Sequence, residues 1–183
     1  MTNSPDLPMP PIQSLHHFAW RCRDAEETRH FYEDLLGLPL VHVIENDHVP
    51  STGEYCPYVH IFFQMRDGSY IAFFDLGDNT VSAPPGNTPA WVNHLALRID
   101  TRTELLAAKA RLEAAGVQVL GITDHHIIES IYFFDPNGIR LELTTPLVSE
   151  ETMESMAQHA HEKLASWTRR KACIKPTAAV TNS

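Results

Sequence analysis

An internal repeat is the feature of this chain that most constrains its fold. The pattern His-x-Ala-x-Arg occurs twice, starting at His17 and at His94, which lie 77 residues apart. Both copies sit where apolar and polar residues alternate, as in a β-strand with one buried face, and a helix-like segment follows each. Self-similarity at a fixed period is typical of repeated structural units. The sequence therefore predicts two similar units in tandem.

Each unit is predicted to run strand, helix, strand, hairpin. Asp24 and Thr101 start the two helices, and each is followed three residues later by a glutamate, the spacing of a capping box. The two hairpin turns contain Gly68 and Gly138, which are 70 residues apart. The sequence therefore predicts an α+β fold of two tandem βαβββ units, in which the apolar face of each sheet packs on its helix.

The segments outside the two units differ in composition. The Pro-rich start is typical of an extended arm, and the run APPGNTP is typical of a linker. Near the C-terminus, apolar residues recur at helical spacing between an acidic start and a basic end, which suits the helix dipole. The predicted organisation is an arm (1–13), a first unit (14–82), a linker (83–90), a second unit (91–147), a C-terminal helix (148–172) and a flexible tail (173–183).

Charge and cysteine content exclude several classes of protein. Acidic residues outnumber basic ones by 23 to 14, which argues against a nucleic-acid or anionic-membrane surface. Three scattered cysteines make neither a disulfide framework nor a zinc knuckle. No apolar run reaches the roughly 18 residues of a membrane span, and the first residues lack the features of a signal peptide. We therefore expect a soluble, cytoplasmic protein with neither nucleic acid nor a membrane as partner.

Three side chains on the strand faces opposite the apolar ones, where a polar cavity is expected, are candidate metal ligands. Glu142 lies in mid-strand between two leucines, where a carboxylate is costly unless it points into a polar cavity or meets a cation. The position 70 residues earlier in the first unit is Ala72. His17, His94 and Glu142 together form a facial triad, which leaves open positions on the metal and suits Fe(II). Either histidine alone could be an ordinary strand residue, but their matched positions favour the metal site.

These segments resemble the vicinal oxygen chelate superfamily, which includes glyoxalase I, bleomycin-resistance proteins and type I extradiol dioxygenases. The matching pieces are LHHFAWRCRDAEETRHFYEDLLGL, VNHLALRI and SIYFFDPNGIRLEL, which together span about residues 14–147. The resemblance implies a cupped mixed sheet, formed by the paired units around a divalent metal. It also implies that His17, which directly precedes FAW as His94 precedes LAL, is the ligand, rather than His16.

The ligand set helps to choose among the activities of this superfamily. Glyoxalase-type lyases use a fourth ligand from the first unit, where this chain has Ala72, although Gln64 or His60 could substitute. Extradiol dioxygenases use two histidines and one glutamate, with a tyrosine ten residues before the glutamate, and Tyr132 matches it. The resemblance therefore favours an extradiol-type ring-cleaving dioxygenase with Fe(II), or next Mn(II). The alternatives are a lyase or isomerase that uses an enediolate on Zn(II), Ni(II) or Co(II), and a metal-free bleomycin-like binding protein.

Further roles are assigned by the same resemblance. The family's acid–base histidine aligns with Thr123, and His125 and His126 follow it closely, so either is a candidate for proton transfer. The family's second pocket histidine aligns near Tyr70, and His60 on the neighbouring strand is a candidate for a related role. The predicted substrate-binding residues are His60, Phe62, Tyr70 and Arg98, with Phe74 and Phe134 as further apolar walls.

The resemblance also implies partners. The expected substrate is a small molecule with vicinal oxygens, such as a catecholate, bound in a bidentate way. Small members of the superfamily often pair, so a homodimer is expected, with the Met- and Trp-bearing tail helix as a candidate contact. Whether the two units of one chain close around the metal, or units are exchanged between chains, stays open at this point.

Overall fold

A computed structural model describes residues 9–83 and 86–172 of the protein. The predicted arm and linker lie partly outside these residues, and the predicted tail lies wholly outside them. The first unit comprises β1 (His17–Cys22), α1 (Ala25–Arg29) with a π-helical continuation (His30–Leu35), β2 (Leu40–His48), β3 (Tyr55–Gln64) and β4 (Tyr70–Asp75). The second unit comprises β5 (Leu95–Arg98), α2 (Arg102–Ala114), β6 (Leu120–Asp124), β7 (Ile128–Phe134) and β8 (Arg140–Pro146).

The two units form four-stranded sheets of the same topology. The strand orders are β1-β4-β3-β2 and β5-β8-β7-β6, and in each sheet the first strand runs parallel to the last. Ala19 pairs with Ala72 in the first sheet, and Ala96 pairs with Glu142 in the second. These pairs keep the 77- and 70-residue offsets of the repeat. The predicted α+β fold of two tandem βαβββ units is confirmed.

The helix starts follow the capping signals of the sequence. The Asp24 carboxylate accepts a hydrogen bond from the Glu27 backbone N–H at 2.7 Å, but the Glu27 carboxylate pairs with Arg23 instead of closing a capping box. At α2 both halves of the box form, since Thr101 and Glu104 each accept a hydrogen bond from the other's backbone N–H. Side-chain acceptors satisfy helix N–H groups that have no intrahelical partner.

One apolar core joins the two units. Phe31 at the helical segment of the first unit lies 6.3 Å, ring to ring, from Phe133 of the second sheet. Tyr32, which is fully buried, lies 5.3 Å from Phe63 and 4.9 Å from Phe73 of the first sheet. The apolar faces of both sheets are therefore buried against the layer that contains Phe31 and Tyr32. Burial of apolar surface is the main driving force for such packing. The polar faces of the two sheets point away from this core.

A buried polar network locks the β7–β8 turn onto the first unit. The Tyr32 hydroxyl donates to the Asp135 carboxylate at 3.1 Å, and burial raises the pKa of Asp135. The Asn137 side-chain amide donates to Thr28 Oγ1 at 3.2 Å, and its oxygen accepts from the Arg23 backbone N–H at 2.9 Å. Because buried polar groups are costly without partners, these bonds select one relative arrangement of the units.

The C-terminal segment forms two helices instead of the single helix predicted. These are α3 (Glu150–Gln158) and α4 (Ala160–Ala172), and the chain leaves the helical conformation at His159. Ser149 caps α3 as its sequence suggests. Met153, Leu164 and Trp167 are 47%, 62% and 43% exposed, so their apolar stripe is not packed on the described part of the chain. No helix within residues 9–83 and 86–172 is long and apolar enough to cross a membrane.

Substitution of Asn137 tests the contribution of this buried polar network to stability. In Asn137→Ala the Thr28 hydroxyl and the Arg23 backbone N–H lose a buried partner, so we expect the free energy of unfolding to fall by about 2–3 kcal/mol. Urea denaturation measures the change. Asn87→Ala, on an exposed loop, is the matched control and should leave stability within about 0.5 kcal/mol of the original. Equal stability of the two variants would contradict the stabilising role of the network.

Candidate metal centre

The polar face of the second sheet holds a buried carboxylate. Glu142 on β8 is only 3% exposed and pairs in register with Tyr132 of β7. One of its oxygens, Oε1, accepts from the Ser130 hydroxyl at 2.5 Å. The other oxygen, Oε2, lies 3.0 Å from His94 Nε2. A carboxylate buried this deeply requires a compensating positive charge or strong hydrogen bonds.

A hydrogen bond of His94 shows which of its ring nitrogens faces that carboxylate. His94 Nδ1 lies 3.0 Å from the Val92 carbonyl oxygen. A carbonyl only accepts, so Nδ1 donates this hydrogen bond and Nε2 is the ring nitrogen that faces Glu142 Oε2. An imidazole nitrogen and a carboxylate oxygen 3.0 Å apart are joined either by a proton or by a metal cation between them. Adjacent ligands that each lie about 2.1 Å from a metal are separated by about 3 Å, so this donor pair fits a divalent metal ion.

His17 lies on the polar face of the first sheet. It shares this face with Ala19 and, through strand pairing, with Tyr70. Its ring lies 6.1 Å from that of His60 and 5.7 Å from that of Phe62. Its Nδ1 is 2.8 Å from the Nδ1 of His16. This face has an exposed imidazole beside aromatic rings, and Ala72 occupies the position that Glu142 has in the other unit.

The described part of one chain brings together two of the three predicted ligands. His94 meets Glu142, but no group of three His, Cys, Asp or Glu side chains within residues 9–83 and 86–172 is close enough to hold a metal. The reason lies in the packing of the units. They bury their apolar faces against each other, so the face with His17 and the face with Glu142 turn outward on separate sheets.

The structure distinguishes the two candidate proton-transfer histidines. His125 Nε2 lies 2.7 Å from the Tyr132 hydroxyl, and the Tyr132 ring is edge-on to that of His94 at 6.2 Å. His126 occupies the turn with φ of +70°, where its backbone N–H donates to Asp124. Burial, with the nearby charge of Glu142, raises the pKa of Tyr132. His125 therefore lies beside Tyr132, and no contact joins His126 to Tyr132 in the described residues.

Two further predicted residues lie away from the His94–Glu142 pair. Arg98 has a side chain that is 70% exposed, lies 3.8 Å from Asp100, and borders a cleft between the two units. Phe134 is 52% exposed at the end of β7. The cation beside Tyr132 is instead Arg140, whose guanidinium carbon lies 4.2 Å above the centre of the phenol ring.

The other predicted substrate-binding residues lie together beside His17. His60 is 8% exposed and is stacked on Phe74 with ring centres 3.6 Å apart. The ring centre of Phe62 lies 4.1 Å from that of His60 and 6.0 Å from that of Tyr70. The Nε2 of His60 is buried without a hydrogen-bond partner in the described residues. Burial, with a smaller contribution from His17 and another nearby histidine, lowers the pKa of His60 to about 4.

Two contacts of the candidate ligands were not predicted from the sequence. Strand alternation puts Ser130 on the same face as Tyr132, but its bond to Glu142 depends on the register of the β7–β8 hairpin. Strict alternation would put His16 on the opposite face from His17, but His16 immediately precedes β1, so its side chain is not bound by that alternation. Its ring can therefore reach His17.

Comparison with a family model identifies the chain. The model described as the Glyoxalase/Bleomycin resistance protein/Dioxygenase superfamily matches residues 14–143. The chain therefore belongs to this superfamily, which confirms the resemblance seen in its motifs. None of the curated proteins compared with the chain matches it.

Several solved structures share the fold. A glyoxalase/dioxygenase from Nostoc punctiforme is 24% identical with a TM-score of 0.58, over 79% of this chain and 100% of that one. Lactoylglutathione lyase from Agrobacterium tumefaciens is 21% identical with a TM-score of 0.52, over 74% and 96%. A fosfomycin resistance protein from Listeria monocytogenes, in complex with Mn(II) and a dihydroxypropylphosphonic acid, is 20% identical with a TM-score of 0.55, over 78% and 98%. Because their stated activities differ, the shared fold does not select one activity.

The buried imidazole of His60 predicts acid sensitivity. The unfolded chain, with a pKa near 6.5, takes up a proton before the folded chain, with a pKa of about 4. The stability that neutral His60 contributes is complete above about pH 6.5 and is lost as the pH falls towards 4, by roughly 1–3 kcal/mol. Urea denaturation at pH 7 and pH 4.5 should show a smaller pH effect in His60→Gln than in the original chain. The exposed His48→Gln is the control, and an unchanged pH effect in His60→Gln would contradict the prediction.

Proposed function

We propose that this protein is a metal-dependent enzyme whose divalent metal is held by His17, His94 and Glu142. The observation that carries the proposal is that His94 Nε2 and Glu142 Oε2 face each other at 3.0 Å, the separation of two adjacent ligands of one metal. The Ser130 hydroxyl holds the second carboxylate oxygen, so the carboxylate is oriented before a metal arrives. When bound, Fe(II) or Mn(II) would act as a Lewis acid and lower the pKa of substrate oxygens.

Within this class we propose an extradiol-type ring-cleaving dioxygenase that binds a catechol-like substrate through its vicinal oxygens. Ala72 at the position equivalent to Glu142 supports this choice, because a glyoxalase-type lyase would use a fourth ligand from the first unit. His60, Phe62 and Tyr70 offer an aromatic surface that suits a planar ring.

Tyr132 and His125 are proposed to move the proton. The raised pKa of Tyr132 keeps its hydroxyl protonated at neutral pH, so it can donate a hydrogen bond to a substrate oxygen. His125 Nε2, at 2.7 Å from this hydroxyl, can accept the proton or return it. Arg140 above the Tyr132 ring holds the phenol in place by a cation–π contact.

Anaerobic reconstitution separates this activity from the alternatives. Oxygen uptake with catechols that depends on Fe(II) or Mn(II) supports the dioxygenase. Turnover of a thiohemiacetal on Zn(II), Ni(II) or Co(II), without oxygen uptake, would instead indicate a lyase or isomerase. Binding of a ligand by metal-free protein, with no metal taken up, would indicate a bleomycin-like binding protein.

We also propose a homodimer in which each metal site takes His17 from one copy and the His94–Glu142 pair from the other. The proposal is supported by the packing of the units, because the two polar faces of one chain point outward from its shared core. A second copy can place its first-unit face against the second-unit face of its partner, and the two-fold operation then completes both sites. The exposed stripe of Met153, Leu164 and Trp167 is a candidate additional contact.

Removal of the carboxylate tests the metal site. In Glu142→Gln the charge is lost while the shape is kept, so we expect affinity for the metal to fall at least about 100-fold. Chelator competition after anaerobic loading with Fe(II) or Mn(II) measures the affinity. Glu54→Gln, on an exposed loop, is the control and should bind as before. Unchanged metal content in Glu142→Gln would overturn the site assignment.

Mixing two inactive variants tests the shared site. His17→Ala and Glu142→Ala each lack one ligand, but random exchange of subunits would restore about a quarter of the sites in an equal mixture. Metal content and turnover of the mixture should rise above those of either variant alone. No rise on mixing, with subunit exchange verified by mass, would place all three ligands in one chain. Sedimentation that shows only monomers at micromolar concentration would also contradict the dimer.

A further inference from the structure

The adjacent histidines at the start of β1 make an unusual contact. His16 Nδ1 lies 2.8 Å from His17 Nδ1, and the two rings meet edge-on with centres 5.0 Å apart. The backbone of His16 is held by its carbonyl, which accepts from the Tyr70 N–H at 3.0 Å, and its ring lies 5.7 Å from that of Tyr70. His16 is therefore anchored to the sheet at the point where it meets His17.

Two nitrogens at this distance need one proton between them. One ring therefore carries a proton on Nδ1 and the other presents a lone pair there. If His17 Nδ1–H is the donor, the lone pair of His17 is on Nε2. If His16 is the donor, His17 has its proton on Nε2 and cannot offer that nitrogen as a ligand.

The second unit shows which assignment matches the repeat. There His94 Nδ1–H donates to the carbonyl of Val92, which lies two residues earlier in the chain. This bond leaves His94 Nε2 as the nitrogen that faces Glu142. In the first unit the atom at hydrogen-bond distance from His17 Nδ1 is Nδ1 of His16, which stands in place of a backbone carbonyl.

We propose that His16 is a positioning residue: its Nδ1 accepts the Nδ1–H of His17 and thereby presents His17 Nε2 to the metal. The role towards the metal rests on the proposed function, but the tautomer assignment does not. Partners that accept the second N–H of a ligand histidine fix its tautomer and orientation and raise its basicity. Unlike a carboxylate in the same position, an imidazole does so without adding a negative charge to the site.

The tautomers can be measured without any metal. Nitrogen-15 spectra of the histidine side chains of the metal-free protein at pH 8.5, well above the ordinary histidine pKa, distinguish protonated from unprotonated ring nitrogens. We expect His17 to carry its proton on Nδ1 and His16 to carry its proton on Nε2. In His16→Leu the signals of His17 should lose this single-tautomer pattern. A proton on Nε2 of His17 in the unmodified protein would overturn the proposal.

Metal affinity provides the second readout. We expect His16→Leu to lower the affinity for Fe(II) or Mn(II) about 10- to 100-fold, and His16→Asn, whose amide oxygen can accept the same hydrogen bond, to restore most of it. His48→Leu, an exposed histidine on β2, is the control for loss of an imidazole.

The outcomes separate this proposal from the proposed function. Unchanged affinity in His16→Leu, while Glu142→Gln abolishes tight binding, would overturn the role of His16 and leave the metal site intact. Loss in His16→Asn as severe as in His17→Ala would also overturn it, because His16 would then be a ligand itself. If His16→Leu does not fold, the His16→Asn variant and the spectra of the unmodified protein still decide the question.

Discussion

The packing of the two units through one shared apolar core is the constraint on which the rest of the structure depends. Phe31 and Tyr32 lie in one layer against both sheets, and the buried Tyr32–Asp135 hydrogen bond allows little change in this arrangement. The apolar contact supplies the driving force, and the polar network selects the orientation. The opposite faces of the two sheets, which carry His17 and Glu142, must then point away from that core.

The candidate site follows from this constraint as two different halves. The second unit contributes a buried carboxylate, an oriented imidazole and the Tyr132–His125 pair, all on one sheet face. The first unit contributes His17 and an aromatic surface, but no carboxylate, because Ala72 stands where the repeat would place one. The halves are therefore complementary: one holds a carboxylate and the Tyr132–His125 pair, and the other holds an imidazole and an apolar surface. Such a division suits a substrate with chelating oxygens at one end and a planar body.

Much of this arrangement was predictable, because the signals are local or follow from strand register. The helix caps at Asp24 and Thr101 depend on residues three positions apart. The equivalence of Ala72 and Glu142 follows from two fixed offsets along similar units. The contact between His94 and Glu142 follows from the parallel pairing of neighbouring strands, since His94 lies two residues before Ala96, the register partner of Glu142, and so on the same face.

Other features were not predictable for identifiable reasons. The choice of His125 over His126 depends on a positive φ at His126, which turns its backbone out of the strand. The break at His159 has no Gly or Pro to signal it. Arg98 shares strand parity with the site, but a long, exposed side chain can leave its face, and here it lies near Asp100.

The sequence by itself determined that this chain folds as two βαβββ units and which residues stand on their polar faces, because alternation, caps and repeat offsets are encoded within each unit. Only the tertiary structure decided that these faces turn away from each other within one chain. It also decided that Nε2 of His94 faces Glu142 and that the ring of His16 contacts the ring of His17. These outcomes depend on long-range packing and on side-chain hydrogen bonds, for which no spacing along the chain provides a signal.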